Sequence, residues 1–182
     1  MKMNAKDILK PSLTLFIICL VVTALLAGTN LLTKDRIAEQ AEIMAGESRK
    51  VVLSDADDFE EKDGYYVGLK GGETVGYVFE TESKGYGGTV KVMTGISADG
   101  MITGVVVLEH GETPGLGANA ERTTFTDQYK QAVPAEGITL VKNRDAGEGE
   151  IEALTGATIT SRAVTSAVNL AVEQYDTVKG GA

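Results

Sequence analysis

The chain has 182 residues, with 17 Lys and Arg against 26 Asp and Glu, a net charge of −9, one cysteine and one histidine. That length holds one domain and an appendage rather than two sizeable cores. The acidic balance excludes nucleic acid and anionic head groups as partners bound through the general field. Cys19 and His110, each alone of its kind, exclude an internal disulfide and a His/Cys metal cluster.

From Ser12 to Leu32 no charged residue occurs, and Leu13, Phe16, Ile17, Leu20, Val21 and Leu25 make the run apolar all round. As a helix at about 1.5 Å per residue it covers roughly 30 Å, the thickness of bilayer hydrocarbon. A cleaved signal has a shorter apolar core, about 7–15 residues. Ile18 before Cys19 is wrong for lipidation. The reading is a retained anchor over 12–33, behind a tail at 1–11. Lys2, Lys6 and Lys10 against Lys34 and Arg36 favour a cytoplasmic N-terminus and an extracytoplasmic domain.

Residues 34–50 read as a helical connector, with Ile37, Ala38, Ala41 and Met44 on one side and Gly46 as its end. Residues 51–182 form the domain. Ser54 to Asp63 is acidic and loop-like. Tyr65, Val67 and Leu69, then Gly71-Gly72, then Val75, Tyr77 and Phe79 give a hairpin. Thr89 to Ile96 is a strand that Asp99-Gly100 turns into Ile102 to Glu109. His110 to Ala120 is a Gly-rich loop, Arg122 to Val133 a helix, Ile138 to Val141 a short strand, and Asn143 to Glu150 an acidic loop. The last helix carries the stripe Val164, Ala167/Val168, Ala171/Val172 and Tyr175, ended by Gly180-Gly181. The fold class is α+β: a single N-terminal transmembrane helix, then a mixed or antiparallel sheet packed with helices.

Two loops carry the chemistry. Glu112-Thr113-Pro114-Gly115-Leu116-Gly117 follows a strand, and its glycines permit close backbone approach to a planar or anionic ligand. Thr155-Gly156-Ala157-Thr158-Ile159-Thr160 lies just ahead of the last helix pattern. Taken alone it admits three readings: an ordinary loop entering a helix, a phosphate cradle at a helix N-terminus, or a threonine oxygen offered for modification. A third cluster, Gly85-Tyr86-Gly87-Gly88, precedes the central strand.

The run Gly85 to Gly88, Asp99-Gly100, Val107 to Gly117 (VLEHGETPGLG) and TGATIT with its helix resembles the G subunit of the Rnf ion-translocating electron transport complex. The resemblance covers the anchor and nearly the whole domain, in order. That family is similar, in its last third, to the C subunit of the sodium-pumping NADH:quinone reductase. The resemblance implies one FMN per chain, held through a phosphoester to the fourth residue of a Ser/Thr-Gly-Ala-Thr motif by a separate flavin transferase. Here that residue is Thr158, flanked by Thr155, Gly156, Ala157 and Ile159, with Thr160 as the rival acceptor. The motif usually has Asp where this chain has Glu152. Glu112, Thr113, Pro114, Gly115, Leu116 and Gly117 are expected to contact the flavin.

A threonine hydroxyl is a weak nucleophile and no base stands beside it in sequence, so an outside enzyme fits better than self-modification. The expected function is electron relay within a membrane complex coupling ferredoxin/NAD electron transfer to Na⁺ or H⁺ movement. Its partners are the other subunits, the transferase and membrane lipid. No carboxylate lies in the span, so ion translocation belongs to those partners. The alternatives are a tethered binding or sensory domain with a removable ligand, and a structural subunit without cofactor.

Overall fold

The computed structural model describes residues 5–180, in two units, residues 1–44 and 45–182. In the first, helix α1 (Ala5–Val52) is already formed at Ala5 and runs through Pro11. Its apolar side chains from Leu13 to Leu32 are exposed all round, and it is long and apolar enough to cross a membrane. Residues 1–4 of the expected tail, and Gly181 of the expected helix end, lie outside the described residues.

The end of α1 belongs to the second unit and corrects the stop expected at Gly46. Glycine costs an exposed helix interior about 1 kcal/mol. The turn beyond it buries Val52 and Leu53 completely, which is worth more.

The second unit is built on a five-stranded antiparallel meander, in the order β1 (Asp58–Lys62), β2 (Tyr65–Lys70), β3 (Glu73–Lys84), β4 (Thr89–Ser97), β5 (Ile102–Glu109). The expected hairpins are there, with Gly71-Gly72 and Asp99-Gly100 at their tips. β1 falls inside the stretch expected as loop. Its acidic, exposed sequence hides it, because an edge strand with one half-buried side chain, Phe59, shows no hydrophobic alternation.

Strand alternation gives the sheet two faces. Phe79, Val92, Ile96, Ile102, Val105 and Val107 face helix α3 (Thr158–Gly180) and its stripe Val164, Ala167, Val168, Ala171, Val172 and Tyr175. Thr81 Oγ1 adds a bond to the Ala167 carbonyl at 2.8 Å. On the opposite face Val78 and Met93 pack against Val52, Leu53 and Ala56. Here the sheet carries glycine. A Cβ at Gly95 would strike the Val52 carbonyl, and one at Gly104 would lie 2.8 Å from Val52 Cα.

The helix expected over 122–133 is shorter. α2 (Thr123–Thr126) gives way to a 3₁₀ turn at Asp127–Tyr129. Phe125 and Tyr129 are buried edge to face. Beyond them the chain turns extended and hydrogen-bonds along the start of β5, Ile102 N–H to Gln131 O and Val133 N–H to Gly100 O. Sheet pairing takes the backbone that helix would have used. The strand expected at 138–141 is β6 (Thr139–Val141). Its parallel partner β7 (Glu150–Glu152) emerges at the end of the acidic loop, where three residues are too few to announce a period.

Gly95→Ala is expected to destabilise the detergent-solubilised chain by about 1–3 kcal/mol in denaturant unfolding, through overpacking against Val52. Gly46→Ala, with nothing within 4 Å, is expected to act in the opposite direction by about 0.5–1 kcal/mol.

Candidate functional site

Ser161 fixes the start of α3. Its N–H donates to the Ala157 carbonyl, its Oγ donates to the same oxygen, and Leu154 N–H donates to Ser161 Oγ. The first helical bond therefore closes on Ala157, and Thr158, Ile159 and Thr160 form the opening turn. Their N–H groups have no acceptor within the helix. The hexapeptide is thus half loop and half helix, rather than wholly ahead of it. Thr158 and Thr160, two residues apart at about 100° each, point to different sides of α3.

Those sides are chemically unlike. Thr160 is 2 % exposed and Thr158 half-buried. Thr160 Oγ1 donates to Glu112 Oε2 at 2.6 Å. Glu112 Oε1 accepts from Tyr86 N–H at 2.8 Å and Gly87 N–H at 3.0 Å. Glu112 itself is 7 % exposed, and its own N–H donates to His110 Nδ1, while His110 Nε2 lies 2.8 Å from a Glu121 carboxylate oxygen. One carboxylate therefore joins three segments: the loop after β3, the loop after β5 and the first turn of α3.

Burial pushes the Glu112 carboxyl up, but the hydroxyl of Thr160 and the N–H groups of Gly87 and Tyr86 together outweigh it and hold the group below its ordinary value of 4.5. Position 117 must be glycine for this contact. A Cβ there would strike Glu112 Oε2 and lie 2.7 Å from Thr160 Oγ1.

These segments enclose a cleft of about 550 Å³, lined by Tyr86, Glu112, Thr113, Leu116, Gly117 and residues 156–160. Of the twelve residues expected from the sequence, nine stand on its wall. Thr155, Pro114 and Gly115 do not line it. Tyr86 was missed as a side chain although its glycine cluster was noted. A tyrosine between glycines was the available signal, and in the fold it is 74 % exposed. Leu116 and Ile159, each about half exposed, share the rim with it. Among the described residues no cluster of His, Cys, Asp and Glu is arranged to hold a metal.

A cleft with a polar floor, an apolar rim and a helix N-terminus suits a planar heterocycle bearing a phosphate. Known proteins point the same way. Residues 85–173 match the FMN-binding domain family, and residues 1–45 match the RnfG N-terminal region. The chain is 38 % identical over 170 residues to the G subunit of the proton-translocating ferredoxin:NAD⁺ oxidoreductase complex of Clostridium ljungdahlii, covering 92 % of this chain and 91 % of that one. It is 40 % identical over 192 residues to the G subunit of the Na⁺-translocating ferredoxin:NAD⁺ oxidoreductase complex of Acetobacterium woodii, covering 93 % and 92 %.

Among solved structures it is similar to the C subunit of the Na⁺-translocating NADH-quinone reductase of Parabacteroides distasonis, with TM-score 0.51, 25 % identity, and 61 % and 60 % of the two chains covered. The Shewanella oneidensis NqrC structure, at 21 % identity and TM-score 0.56 over 71 % and 74 %, shows the same fold. The globular unit is an FMN-binding domain on a chain with one candidate membrane helix among the described residues. The chain belongs to the family of G subunits of ion-translocating oxidoreductase complexes.

Because the Glu112 pKa is lowered on folding, its stabilising contribution is complete above the unfolded value and is lost as pH falls through the folded value. Glu112→Gln is expected to cost about 2 kcal/mol at neutral pH. In unfolding measured down to about pH 3, the gap to wild type is expected to narrow below 4.5. A gap that is independent of pH would assign the loss to packing alone.

Proposed function

We propose that the chain is the electron-relaying flavoprotein subunit of a membrane ferredoxin:NAD⁺ oxidoreductase complex, with one FMN joined through its phosphate to Thr158. The bound flavin supplies the redox chemistry; the protein orients it and sets its surroundings. The observation that carries the reading is the Thr158 hydroxyl itself. Thr158 is a half-buried residue of the cleft wall, in the helix turn whose N–H groups have no acceptor within the helix, whereas Thr160 is buried and bonded to Glu112.

Thr113, Leu116, Gly117, Gly156, Ala157 and Ile159 line the same cleft and bound the space for the ring system. Thr155, Pro114 and Gly115 act by shaping the two loops behind it. The oxidoreductase assignment comes from relatives that are 38 % and 40 % identical over more than nine-tenths of the chain. α1 anchors the protein in lipid, its N-terminus cytoplasmic and the flavin domain extracytoplasmic. The span carries no acidic residue between Ser12 and Leu32, so the coupling ion crosses through other subunits. Attachment is the work of a separate flavin transferase, since a threonine hydroxyl is a weak nucleophile and the carboxylate of the cleft is committed to Thr160.

Co-expression with a flavin transferase is expected to give a yellow chain whose fluorescence survives denaturing electrophoresis. Mass spectrometry is expected to map the flavin to the peptide Thr155 to Arg162, and Thr158→Ala to abolish it. Colour lost completely on denaturation would favour a removable ligand instead.

A further inference from the structure

The hexapeptide offers three hydroxyls, at Thr155, Thr158 and Thr160, and the last is the one with a carboxylate against it. A hydroxyl 2.6 Å from a carboxylate is the usual arrangement of an activated nucleophile. Burial excludes that role here. Attack requires a phosphorus in line with the oxygen, and Thr160 Oγ1 has Glu112 on one side and the position 117 backbone close on another. The carboxylate, already accepting two backbone N–H bonds, is held in its ionised form and keeps the hydroxyl proton directed at itself. Thr155 is exposed but does not line the cleft.

We propose that Glu112 is a positioning residue that selects the modified threonine, by withdrawing the Thr160 hydroxyl and leaving Thr158 as the accessible acceptor in the cleft. The inference rests on the reading of Thr158 as the flavin-bearing residue. The reaction it governs balances with a flavin dinucleotide as donor. Thr158 Oγ forms a bond to the flavin-side phosphorus and the phosphoanhydride bond breaks. The nucleoside monophosphate leaves with the bridging oxygen, and the hydroxyl proton passes to the transferase. No electron is transferred in the step. Gln at 112 keeps an oxygen for the Tyr86 and Gly87 N–H groups but turns an NH₂ toward Thr160, so the threonine hydroxyl is no longer held as a donor.

The test uses the full chain, co-expressed with transferase and flavin dinucleotide, with the modified residue identified by fragmentation of the Thr155 to Arg162 peptide. Wild type carrying flavin at Thr158 establishes the reading on which the inference stands, and unlabelled wild type removes that reading itself. Thr158→Ala is expected to stay unlabelled, because Thr160 remains held. Thr158→Ala combined with Glu112→Gln is expected to acquire flavin on Thr160, at least about tenfold above the single variant, since a charge-assisted hydrogen bond is released. Glu112→Asp in the same background restores a carboxylate and is expected to reduce that labelling again. It also serves as the folded comparison if the glutamine variant fails to accumulate. Labelling of Thr160 in Thr158→Ala alone would overturn the proposal. So would a folded double variant that stays bare, since the choice would then lie in the transferase's reading of the sequence.

Discussion

The site depends on one buried carboxylate. Leaving an ionised group 7 % exposed is costly unless donors replace its lost water. Glu112 finds three, two from backbone N–H groups and one from Thr160. Because these donors come from the loop after β3 and the first turn of α3, satisfying the charge and assembling the cleft are the same event. This also explains the composition around it. Gly85, Gly87 and Gly117 each approach Glu112 or its loop so closely that a Cβ would collide, so the glycine clusters are the space the carboxylate needs. A chain with Ala at these places would hold the loops apart and leave the charge unpaired.

Beneath the site, the sheet is clamped from both sides by unlike means. α3 covers one face with a stripe of Ala and Val that lets the helix lie close to Phe79 and Val92. The other face, besides packing Val52, Leu53 and Ala56, admits backbone at Gly95 and Gly104. Thr103 Oγ1 donates to the Val52 carbonyl, the same carbonyl that abuts Gly95. This lets the last turn of α1 sit directly on the strands, and it is why a helix with a mid-chain glycine continues through it. Rigid strands in turn place the ends of β3 and β5, from which the Tyr86 and Glu112 loops spring.

The longest periods were legible in the sequence. The apolar run of α1, the hairpins at Gly71-Gly72 and Asp99-Gly100, and the α3 stripe each occupy several turns or alternations. What escaped was short or set by distant partners. β1 is polar at an edge, β7 is three residues long, and residues 131–133 join β5 although their local pattern favours helix. At the site, residue types in two loops pointed to segments that the fold brings to one cleft. The link between them, Glu112 to Thr160, spans 48 positions and has no local signature. Absence of a base near the threonines in sequence likewise said nothing about which one folding would bring to a carboxylate.

The composition of the cleft wall bears on why attachment would be covalent. Its ten lining residues include no Lys or Arg, and the ionisable group most deeply set among them is the anionic Glu112. A free mononucleotide entering such a site would rely for its phosphate on helix N–H groups, worth about 1 kcal/mol, less than a tenfold gain in affinity. Against that stands the field of a chain carrying −9 overall. A phosphate monoester near neutrality bears close to two charges, and a diester bears one, so esterification also halves the repulsion. On the proposed reading, an open cleft of this charge would gain its occupancy from a bond, and that bond would fall on whichever hydroxyl the buried carboxylate leaves free.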